Sequence, residues 1–375
     1  MERIITPPRF DWQEKVESCG MAYHTIDGQT YWDETACYTF SSSQIDELEQ
    51  ATAELHELCI TAAGHVIEQR LYDRLNIPPQ AVPLIERSWE NDEPSILGRF
   101  DLAYDGTSPP KLLEYNADTP TALLEASVVQ WFWLKERFPD ADQFNSIHEK
   151  LIAGWEYLKP YLTEPLHFGC VKDAPEDLGN LEYLRDTALQ AGIATRQIFI
   201  EELGFDSVNS QFVDSDDAPV TNMFKLYPWE WLTNEFFGRH LEPSGIVMIE
   251  PAWKMILSNK GILPILWELN HGHPSLLEAS FDPGHFRDNY VTKPFFSREG
   301  GNITIHRSGL SAEYGGSYGG KGLVSQELAR IPDFGGNYPV IGSWVICGEP
   351  AGIGIREDTS AITTNSSRFV PHLFR

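Results

Sequence analysis

The chain has 375 residues, of which 42% are hydrophobic and 22% charged, and its mean hydropathy is −0.30. These values exclude a disordered chain, and no apolar run approaches the ~18 residues of a membrane helix. The net charge of −27 argues against binding to nucleic acid or an anionic membrane, because their phosphates would be repelled. It favours a cationic partner or serves solubility alone. Five widely spaced cysteines without a C-x-x-C pair argue against a disulfide framework and a zinc site.

The first eight residues lack the apolar core of a secretion signal, so we expect a cytoplasmic protein. The length predicts about two to three structural units. The first clear element is a long amphipathic helix. Ser43 is placed to cap it and Asp46 to return the bond, and apolar residues then recur at helical spacing as far as Val66.

Two short polar stretches, near residues 100 and 115, are separated by turn-forming residues and predict a hairpin. Alternate side chains of a strand share a face, so Arg99 and Asp101 lie together, as do Glu114 and Asn116. Carboxylate and amide oxygens are ligands that Mg²⁺ accepts, and Arg99 could hold a phosphate or a carboxylate. The alternative is the solvated face of an edge hairpin, where such charge pairs are ordinary.

A helix is predicted directly after this hairpin, from Ala122 to Phe138. Thr119 provides a hydroxyl at its start, and Pro120 suits its first turn. We expect the N-terminal amides and the hydroxyls of Thr119 and Thr121 to converge near the polar face of the hairpin. Helix ends that bind anions are arranged in this way.

Short apolar strands alternate with a helix between Leu166 and Leu226, which predicts a small α/β unit. Its first strand is followed by an acidic loop that ends in Glu176 and Asp177. Open α/β sheets place ligands at this end of a strand. The two acids could equally serve as helix-capping residues.

The C-terminal third predicts a helical stretch to about Leu269, a strand pair at 290–294 and 302–305, and a hairpin within 340–356. The glycine-rich segment 315–322 lacks the Ser or Thr of a Walker A loop and precedes a strand, so it is not a P-loop. It is either a mobile lid over a nucleotide or a plain surface loop.

Several motifs occur in one order over most of the chain: Gly98–Asp101, Leu113–Asp118, Trp253-Lys254, Asn259-Lys260, Val291–Pro294, Arg298–Asn302 and Gly352–Arg356. Together they make the chain resemble the synthetase domain of the glutathionylspermidine synthase family. It is most similar to the short members, which lack an N-terminal amidase domain and are described as acid–amine ligases. This resemblance implies an α/β (α+β) ATP-grasp fold, with a small pre-ATP-grasp-like α/β unit and an N-terminal helical segment.

The expected division has three parts. Residues 1–160 hold the long helix and the metal-site hairpin, 161–250 the α/β unit on the substrate side, and 251–375 the ATP-grasp nucleotide-binding and lid region. No internal repeat or long linker separates these parts, so we expect them to be interwoven as one catalytic body.

The resemblance also implies the roles of individual residues. Mg²⁺ would be bound by Asp101, Glu114 and Asn116. The catalytic arginines, which hold the transferring phosphate and the acyl substrate, would be Arg99, Arg298 and Arg356. ATP would be bound by Arg99, Lys260, Lys293, Glu299, Gly300, Gln326, Glu327, Leu328 and Ala329. The substrates would be contacted by Thr119, Thr121, Glu176 and Asp177.

The implied activity is an ATP-dependent carboxylate–amine ligase with Mg²⁺, acting on a small peptide-like acid and an amine or polyamine. ATP would phosphorylate the carboxylate, and the amine would attack the acyl phosphate. The alternatives are a phosphotransferase that stops at a phosphorylated product and a nucleotide-binding regulatory protein. The sequence identifies neither the base that takes the proton of the amine nor the oligomeric state.

Departures from the family pattern concern the substrates. Leu226 stands where members that use glutathione have a threonine, and Thr119 and Thr121 replace two serines. Arg368 falls close to the position of an acid that contacts the polyamine. The sequence therefore does not determine whether glutathione or spermidine is used, whereas the ATP and metal residues are intact.

Overall fold

The structure is a computed structural model that describes residues 1–298, 300–316, 322–364 and 367–375. It is a mixed α/β structure in which three larger sheets and one long helix position a central cleft. Within the described residues, no helix is long and apolar enough to span a bilayer.

The described residues form α-helices and several shorter helical turns. The α-helices of the described residues are α1 Trp12–Ser18, α2 Ser42–Glu68, α3 Val82–Glu90, α4 Gln130–Arg137, α5 Ile147–Leu158, α6 Pro175–Gln190, α7 Trp229–Leu232, α8 Leu241–Ser244, α9 Lys254–Ser258 and α10 Ile262–Leu269. Short 3₁₀ turns occur at Leu71–Leu75, Pro79–Ala81, Lys159–Tyr161, Ile200–Glu202 and Phe236–His240, and a π-helical turn at Glu125–Val129.

The strands are short except for one long C-terminal pair. In chain order they are β1 Glu2–Ile5, β2 Thr25–Ile26, β3 Gln29–Thr30, β4 Ala36–Phe40, β5 Leu97–Ala103, β6 Lys111–Asn116, β7 Leu166–Cys170, β8 Thr195–Phe199, β9 Gly204–Asp206, β10 Gln211–Val213, β11 Asn222–Leu226, β12 Val247–Ile249, β13 Ala279–Ser280, β14 Tyr290–Pro294, β15 Thr304–Arg307, β16 Leu310–Glu313, β17 Leu323–Glu327, β18 Tyr338–Ile346, β19 Glu349–Asp358, β20 Arg368–Phe369 and β21 His372–Phe374.

The central sheet is antiparallel and has the order β20-β19-β18-β5-β6. One face carries apolar side chains such as Phe100 and Leu102, which belong to the same core as the apolar residues of α2. A hydrogen bond between Thr52 Oγ1 and Ser343 Oγ, 2.7 Å long, ties α2 to β18. Because side chains alternate along a strand, burial of this face directs Arg99 and its neighbours to the opposite one.

The start of α2 differs from the sequence prediction. Ser41, not Ser43, is the N-cap, and it forms a capping box with Gln44. The Ser41 backbone is extended, with ψ of 158°, as an N-cap requires, whereas Ser43 already lies inside the helix. The sequence therefore predicts this helix correctly but places its N-cap two residues too far along the chain.

A parallel sheet of order β12-β11-β7-β8, with α6 packed against β7 and β8, forms the predicted small α/β unit. Its helix begins at Pro175. Glu176 and Asp177 thus lie in the first turn of α6, where acids interact favourably with the helix dipole.

The third large sheet, of order β13-β17-β14-β15-β16, meets the central sheet at β6. Lys293 on β14 donates to the Leu113 carbonyl at 2.9 Å, and Gln326 on β17 donates to the Leu112 carbonyl at 3.0 Å. The predicted strand pairing is confirmed, although the second strand begins at Thr304 rather than at residue 302. The main cleft lies along this junction.

The predicted division into three parts stays a prediction. Strands from the first and last parts do share the central sheet, since β18 pairs with β5. A smaller sheet, β1-β4-β21, also joins early and late segments. Arg3 on β1 donates to Glu357 on β19 through Nε and Nη2, which adds a buried ion pair to this connection.

Candidate active site

The hairpin of β5 and β6 places four polar side chains on one face. Arg99 is the cross-strand partner of Asn116, and Asp101 is the partner of Glu114. Directly opposed residues have Cβ atoms roughly 4.5–5.5 Å apart, so these side chains form one cluster. The predicted hairpin and its shared polar face are confirmed.

The turn that joins the strands is stabilised by Asp105, whose Oδ1 accepts bonds from the amides of Thr107 and Ser108 at 2.8 and 2.7 Å. Such Asx turns stabilise a connection between strands, and Gln44 of α2 adds a bond to the Gly106 carbonyl in this turn at 2.8 Å. A bulge after Asp101 then sets the register in which Asp101 faces Glu114.

Asp101 is a buried carboxylate between two arginines. Arg99 Nε donates to Asp101 Oδ1 at 2.8 Å, and Arg356 Nη2 on β19 lies 3.6 Å from Asp101 Oδ2. Arg99 also donates to the Thr121 carbonyl at 2.5 Å. The acid thus orients two cations that converge on the cleft from neighbouring parts of the central sheet.

Glu114 is held by a lysine. Lys260 Nζ lies 3.0 Å from Glu114 Oε2 and donates to the Ser297 carbonyl at 2.7 Å. Burial by itself would raise the pKa of Glu114, but the charges of Lys260 and Lys293 outweigh it and lower the pKa. The carboxylate therefore stays ionised in its half-buried position.

Lys293 is the second buried lysine of the cluster. Its Nζ donates to Gln326 Oε1 at 2.8 Å as well as to the carbonyl of Leu113. Burial, together with repulsion from Lys260, lowers the pKa of Lys293 to about 8, although Glu114 opposes the shift. An anionic ligand would stabilise the charged form of this lysine.

A slot of about 70 Å³, which we call the lysine cavity, opens between the central sheet and the third sheet. Apolar side chains such as Val291, Ile303 and Ile331 alternate with polar groups along its wall. Among the predicted site residues, it is lined by Asp101, Glu114, Lys260, Lys293, Gly300, Gln326, Glu327, Leu328 and Ala329.

A second space of about 200 Å³, which we call the arginine cavity, lies on the other side of Glu114. Its lining includes all three predicted catalytic arginines and all four predicted substrate-binding residues. The predicted site residues on its wall are Arg99, Glu114, Asn116, Thr119, Thr121, Glu176, Asp177, Arg298 and Arg356. Glu114 lines both cavities, so a ligand in one lies next to a ligand in the other.

Arg298 reaches the arginine cavity from the connector after β14. Its Nη2 lies 3.5 Å from Glu230 Oε1, and its guanidinium lies 5.6 Å from the centre of the Trp231 ring. Burial raises the pKa of Glu230, and the charge of Arg298 opposes this rise. The guanidinium is thus held at the cavity by an acid and an aromatic ring.

The protein-family comparison decides the family. The model described as glutathionylspermidine synthase preATP-grasp matches residues 3–375. The chain belongs to this family. It is 41% identical over 392 residues to a Haemophilus influenzae protein named "Putative acid--amine ligase", and the match covers 100% of both chains.

Trypanothione synthetase of Crithidia fasciculata is 30% identical over 349 residues, which cover 84% of this chain but 53% of that relative. The chain thus matches about half of the length of the trypanothione synthetase. Among solved structures, a glutathione synthetase-like effector from Globodera pallida, in its apo form, has a TM-score of 0.59 at 10% identity. That match covers 99% of this chain and 98% of the effector.

These comparisons confirm the α/β ATP-grasp fold and the ligase class that the sequence predicts. They also support ATP-dependent amide-bond ligation as the general reaction of the glutathionylspermidine synthase family.

The helix start that the sequence predicts after Thr121 needs correction. The amides of Leu123 and Leu124 donate to Asn180 Oδ1 of α6, at 2.8 and 3.3 Å, and not towards the metal-site face. The helix is also interrupted by the π-helical turn before α4. Thr119 and Thr121 still line the arginine cavity, but the predicted anion site at this helix end is wrong.

Two of the departures from the family pattern, at Leu226 and Arg368, lie in different places. Leu226 ends β11 and lines the arginine cavity beside Val171 and Tyr227. Arg368 does not line it; its guanidinium donates to Glu357 Oε1 at 2.6 Å and lies 3.5 Å from Asp33 Oδ2. Leu226 can therefore contact a ligand in the arginine cavity, whereas Arg368 borders a separate groove.

Glu299 and residues 317–321 of the glycine-rich segment lie outside the described residues. Their predicted ATP-binding and lid functions therefore stay predictions. Neighbouring Gly300 has a φ of +67°, and a Cβ there would lie 2.6 Å from the Thr363 carbonyl oxygen. Glycine allows the chain to pass this close to the loop that borders the lysine cavity.

Several cavity residues were missed by the sequence reasoning. Tyr31, Tyr227 and Trp231 line the arginine cavity, and residues 361–363 line the lysine cavity. The aromatic cluster Trp229-Glu230-Trp231 was a usable signal, since exposed tryptophans often mark binding sites. Tyr31 gave no signal, because it lies far from the other site residues in the sequence.

Proposed function

We propose that the chain is a Mg²⁺-dependent ligase that uses ATP to join the carboxylate of a small acid to an amine. The observation that supports this proposal is that Glu114 lines both cavities and so forms a wall between them. On one side lies a slot with two buried lysines, and on the other a cavity with three arginines. Transfer of a phosphate from one ligand to another requires such adjacent, positively charged sites.

The nucleotide would occupy the lysine cavity. Its base fits the apolar part near Ile303, Leu328 and Ile331, beside the backbone of β17 and the residues that follow it. Lys260 and Lys293 would contact the phosphates, because their ammonium groups lie at the inner end next to Glu114.

The donor set suits Mg²⁺. No group of three or more His, Cys, Asp or Glu is arranged for a metal within the described parts of the chain. Mg²⁺, however, is commonly held by one or two carboxylates together with substrate phosphates, and Asp101, Glu114 and the Asn116 amide provide hard oxygens on one face. These three residues would hold the ion, which when bound offsets negative charge on the phosphates.

Arg99, Arg298 and Arg356 would stabilise charge during transfer. A carboxylate oxygen of the acid attacks the terminal phosphorus of ATP, the bond to the bridging oxygen breaks, and ADP leaves. The amine then attacks the acyl carbon, and inorganic phosphate leaves with the electron pair of the carbon–oxygen bond. Both steps develop negative charge that preorganised guanidinium groups can stabilise.

The arginine cavity would bind both partners of the amide. Thr119 and Thr121 offer hydroxyls to the acid, and Glu176 and Asp177 offer negative charge to a cationic amine. Leu226 and Trp231 add apolar surface, which favours an acid that is less polar near these residues than glutathione. We expect this reaction in the cytoplasm, in line with the sequence prediction.

The test is an ADP-release screen of acids and amines with Mg²⁺ and ATP. The acids are glutathione, γ-glutamyl dipeptides and N-acyl amino acids, and the amines are spermidine, putrescine and free amino acids. ADP formation that needs both partners, with an amide detected by mass spectrometry, is the expected result. Production of AMP, a stable phosphorylated acid without amide, or ATP binding without turnover would contradict the proposal.

A further inference from the structure

Glu125 is a buried carboxyl group that none of the predicted roles uses. It lies in the π-helical turn before α4, and its side chain is fully buried. Tyr31 Oη donates to Glu125 Oε1 at 2.8 Å, whereas Oε2 accepts no hydrogen bond within the described residues. A buried carboxyl with an unused oxygen is costly, and π-helical turns are frequent at functional sites.

The surroundings of Glu125 bring its protonation equilibrium into the neutral pH range. Burial raises the pKa of Glu125 to about 7, and the negative charge of Glu176 on α6 adds to this rise. Tyr31, through its hydrogen bond, and Arg99 on β5 oppose it. Tyr23 packs against Tyr31 and also lies close to the carboxyl group. A carboxyl group with such a pKa can both accept and release a proton at pH 7.

Tyr31 connects this carboxyl group to the arginine cavity. It lines the cavity together with Arg99, Thr121 and Glu176, and its hydroxyl donates to Glu125. Its hydroxyl can accept a hydrogen bond from a ligand while it donates to Glu125, because a phenol oxygen does both.

We propose that Tyr31 and Glu125 form the proton relay that activates the attacking amine. This inference rests on the proposed ligase function and supplies the base that the sequence does not identify. Tyr31 would touch the amine. Glu125 would act through it as the residue that orients the hydroxyl and holds the proton.

The amine arrives as an ammonium ion, R–NH₃⁺, and must lose one proton before it can attack. That proton passes to Tyr31 Oη while the original hydroxyl proton passes to Glu125 Oε1. The nitrogen lone pair then forms the bond to the acyl carbon, and the bond from that carbon to the phosphate oxygen breaks. The released phosphate takes the second proton from nitrogen, and Glu125 returns its proton to solvent between turnovers.

Glu176 and Asp177 are less suited to this task. They lie in the first turn of α6 and are partly exposed, whereas Glu125 is fully buried. They can attract the ammonium ion from the wall of the cavity, while Glu125, away from solvent, can hold the transferred proton. Recruitment would thus fall to the acids that line the cavity, and deprotonation to Tyr31 and the buried Glu125.

The experiment compares two nucleophiles in Glu125→Gln, Tyr31→Phe and wild type. Hydroxylamine is neutral at pH 7 and needs no deprotonation, and it converts an acyl phosphate to a hydroxamate. The second nucleophile is spermidine, or the amine of the panel that gives amide with wild type. Tyr183→Phe is the matched control. It removes another buried phenol, bonded to Ser127 and His148, that does not line the arginine cavity.

We expect both variants to lose amide formation with the ammonium substrate by ~10²–10⁴-fold. Hydroxamate formation should stay within about threefold of wild type, since general-base assistance is not needed there. The wild-type rate should rise with pH through about 7, and this inflection should disappear in Glu125→Gln. Tyr183→Phe should behave as wild type with both nucleophiles.

Equal losses with hydroxylamine and the ammonium substrate would mean that the pair only supports the cavity, and they would overturn the relay. Unchanged rates with both nucleophiles would overturn it as well. If Glu125→Gln does not fold, Tyr31→Phe decides alone, because it leaves the buried carboxyl in place. Absence of hydroxamate and amide from wild type with every acid would instead contradict the ligase function, and the relay with it.

Discussion

Glu114 and Glu125, two carboxyl groups that both feel the charge of Arg99, have contrasting surroundings. Glu114 lies against Lys260, and the lysines lower its pKa. Glu125 has a tyrosine as its partner, and burial raises its pKa to about 7. Environment alone makes one acid a permanent anion and the other a group that can exchange protons.

The two cavities also differ in what each would determine. The polar groups of the lysine cavity bond to one another from β6, β14, β17 and the connection between α9 and α10, which suits a nucleotide common to many ligases. The arginine cavity combines loop residues, hydroxyls and aromatic rings such as Trp231, which is 42% exposed. The first cavity would set the reaction and the second the substrates.

The largest effect is expected for Glu114→Gln. It removes a charge from the wall that both cavities share and leaves Lys260 without its partner. ADP formation at saturating ATP and Mg²⁺ should fall by ~10²–10³-fold, as for loss of one preorganised electrostatic group. ADP release under steady-state conditions measures this. Glu349→Gln, which removes an exposed acid paired with Lys150, is the control. An unchanged rate would show that the wall is not part of the reaction.

Glu125→Gln should change the pH dependence of stability. A carboxyl whose pKa rises from 4.5 to about 7 on folding contributes stability below about pH 4.5, and this contribution is lost as pH rises through 7. Relative to the Gln variant, wild type should lose about 3 kcal/mol between pH 4.5 and 8, at 1.36 kcal/mol per pKa unit. Denaturant unfolding across this range measures the difference. If the free energy of unfolding of wild type and of Glu125→Gln changed with pH in parallel, folding would not raise the pKa of Glu125, and the contrast with Glu114 would be wrong.

Lys260→Met should weaken ATP binding by about 10- to 100-fold, the effect of losing a charged hydrogen bond worth ~1.5–3 kcal/mol. Calorimetric titration with ATP and Mg²⁺ tests this. Lys150→Met removes a lysine of the matched surface pair and should leave the affinity unchanged. If both variants bind ATP as wild type does, the lysine cavity is not the nucleotide site.

The smallest change is expected for Leu226→Thr. It should alter KM for the acid by about tenfold, the scale of one apolar contact in a binding pocket, while KM for ATP stays within about twofold. Steady-state kinetics with each substrate varied in turn separates the two. Leu189→Thr on the exposed side of α6 is the control. An effect on ATP instead of the acid would show that the cavities do not divide the substrates as proposed.

The parts of the site that could be predicted are those set by local patterns. Alternation along β5 and β6 and a turn motif between them determine which side chains share a face, so the grouping of Asp101 with Glu114 follows from the sequence. The family resemblance then supplied the lysines and arginines, which the structure places around two adjoining cavities.

The parts that could not be predicted depend on distant contacts. Glu125 and Tyr31 are 94 residues apart, and in the sequence Glu125 looks like an ordinary acid of a helix. The helix after Thr121 is capped by Asn180 of another helix. Capping rules that consider only neighbouring residues therefore predicted the wrong cap, Thr119. Ser41 was missed as the N-cap because two adjacent serines offer the same side-chain hydroxyl.

The strand order of the central sheet also has a consequence for biosynthesis. β5 carries Arg99 and Asp101, yet its neighbour β18 begins at Tyr338, and Arg356 comes later still. On the ribosome, the hairpin of β5 and β6 emerges long before the strand that pairs with it. Until then one edge of β5 is open to pairing with other chains, as unprotected strand edges are. Translation must pass residue 356 before all three arginines can meet, so the arginine cavity forms only when nearly the whole chain has been made.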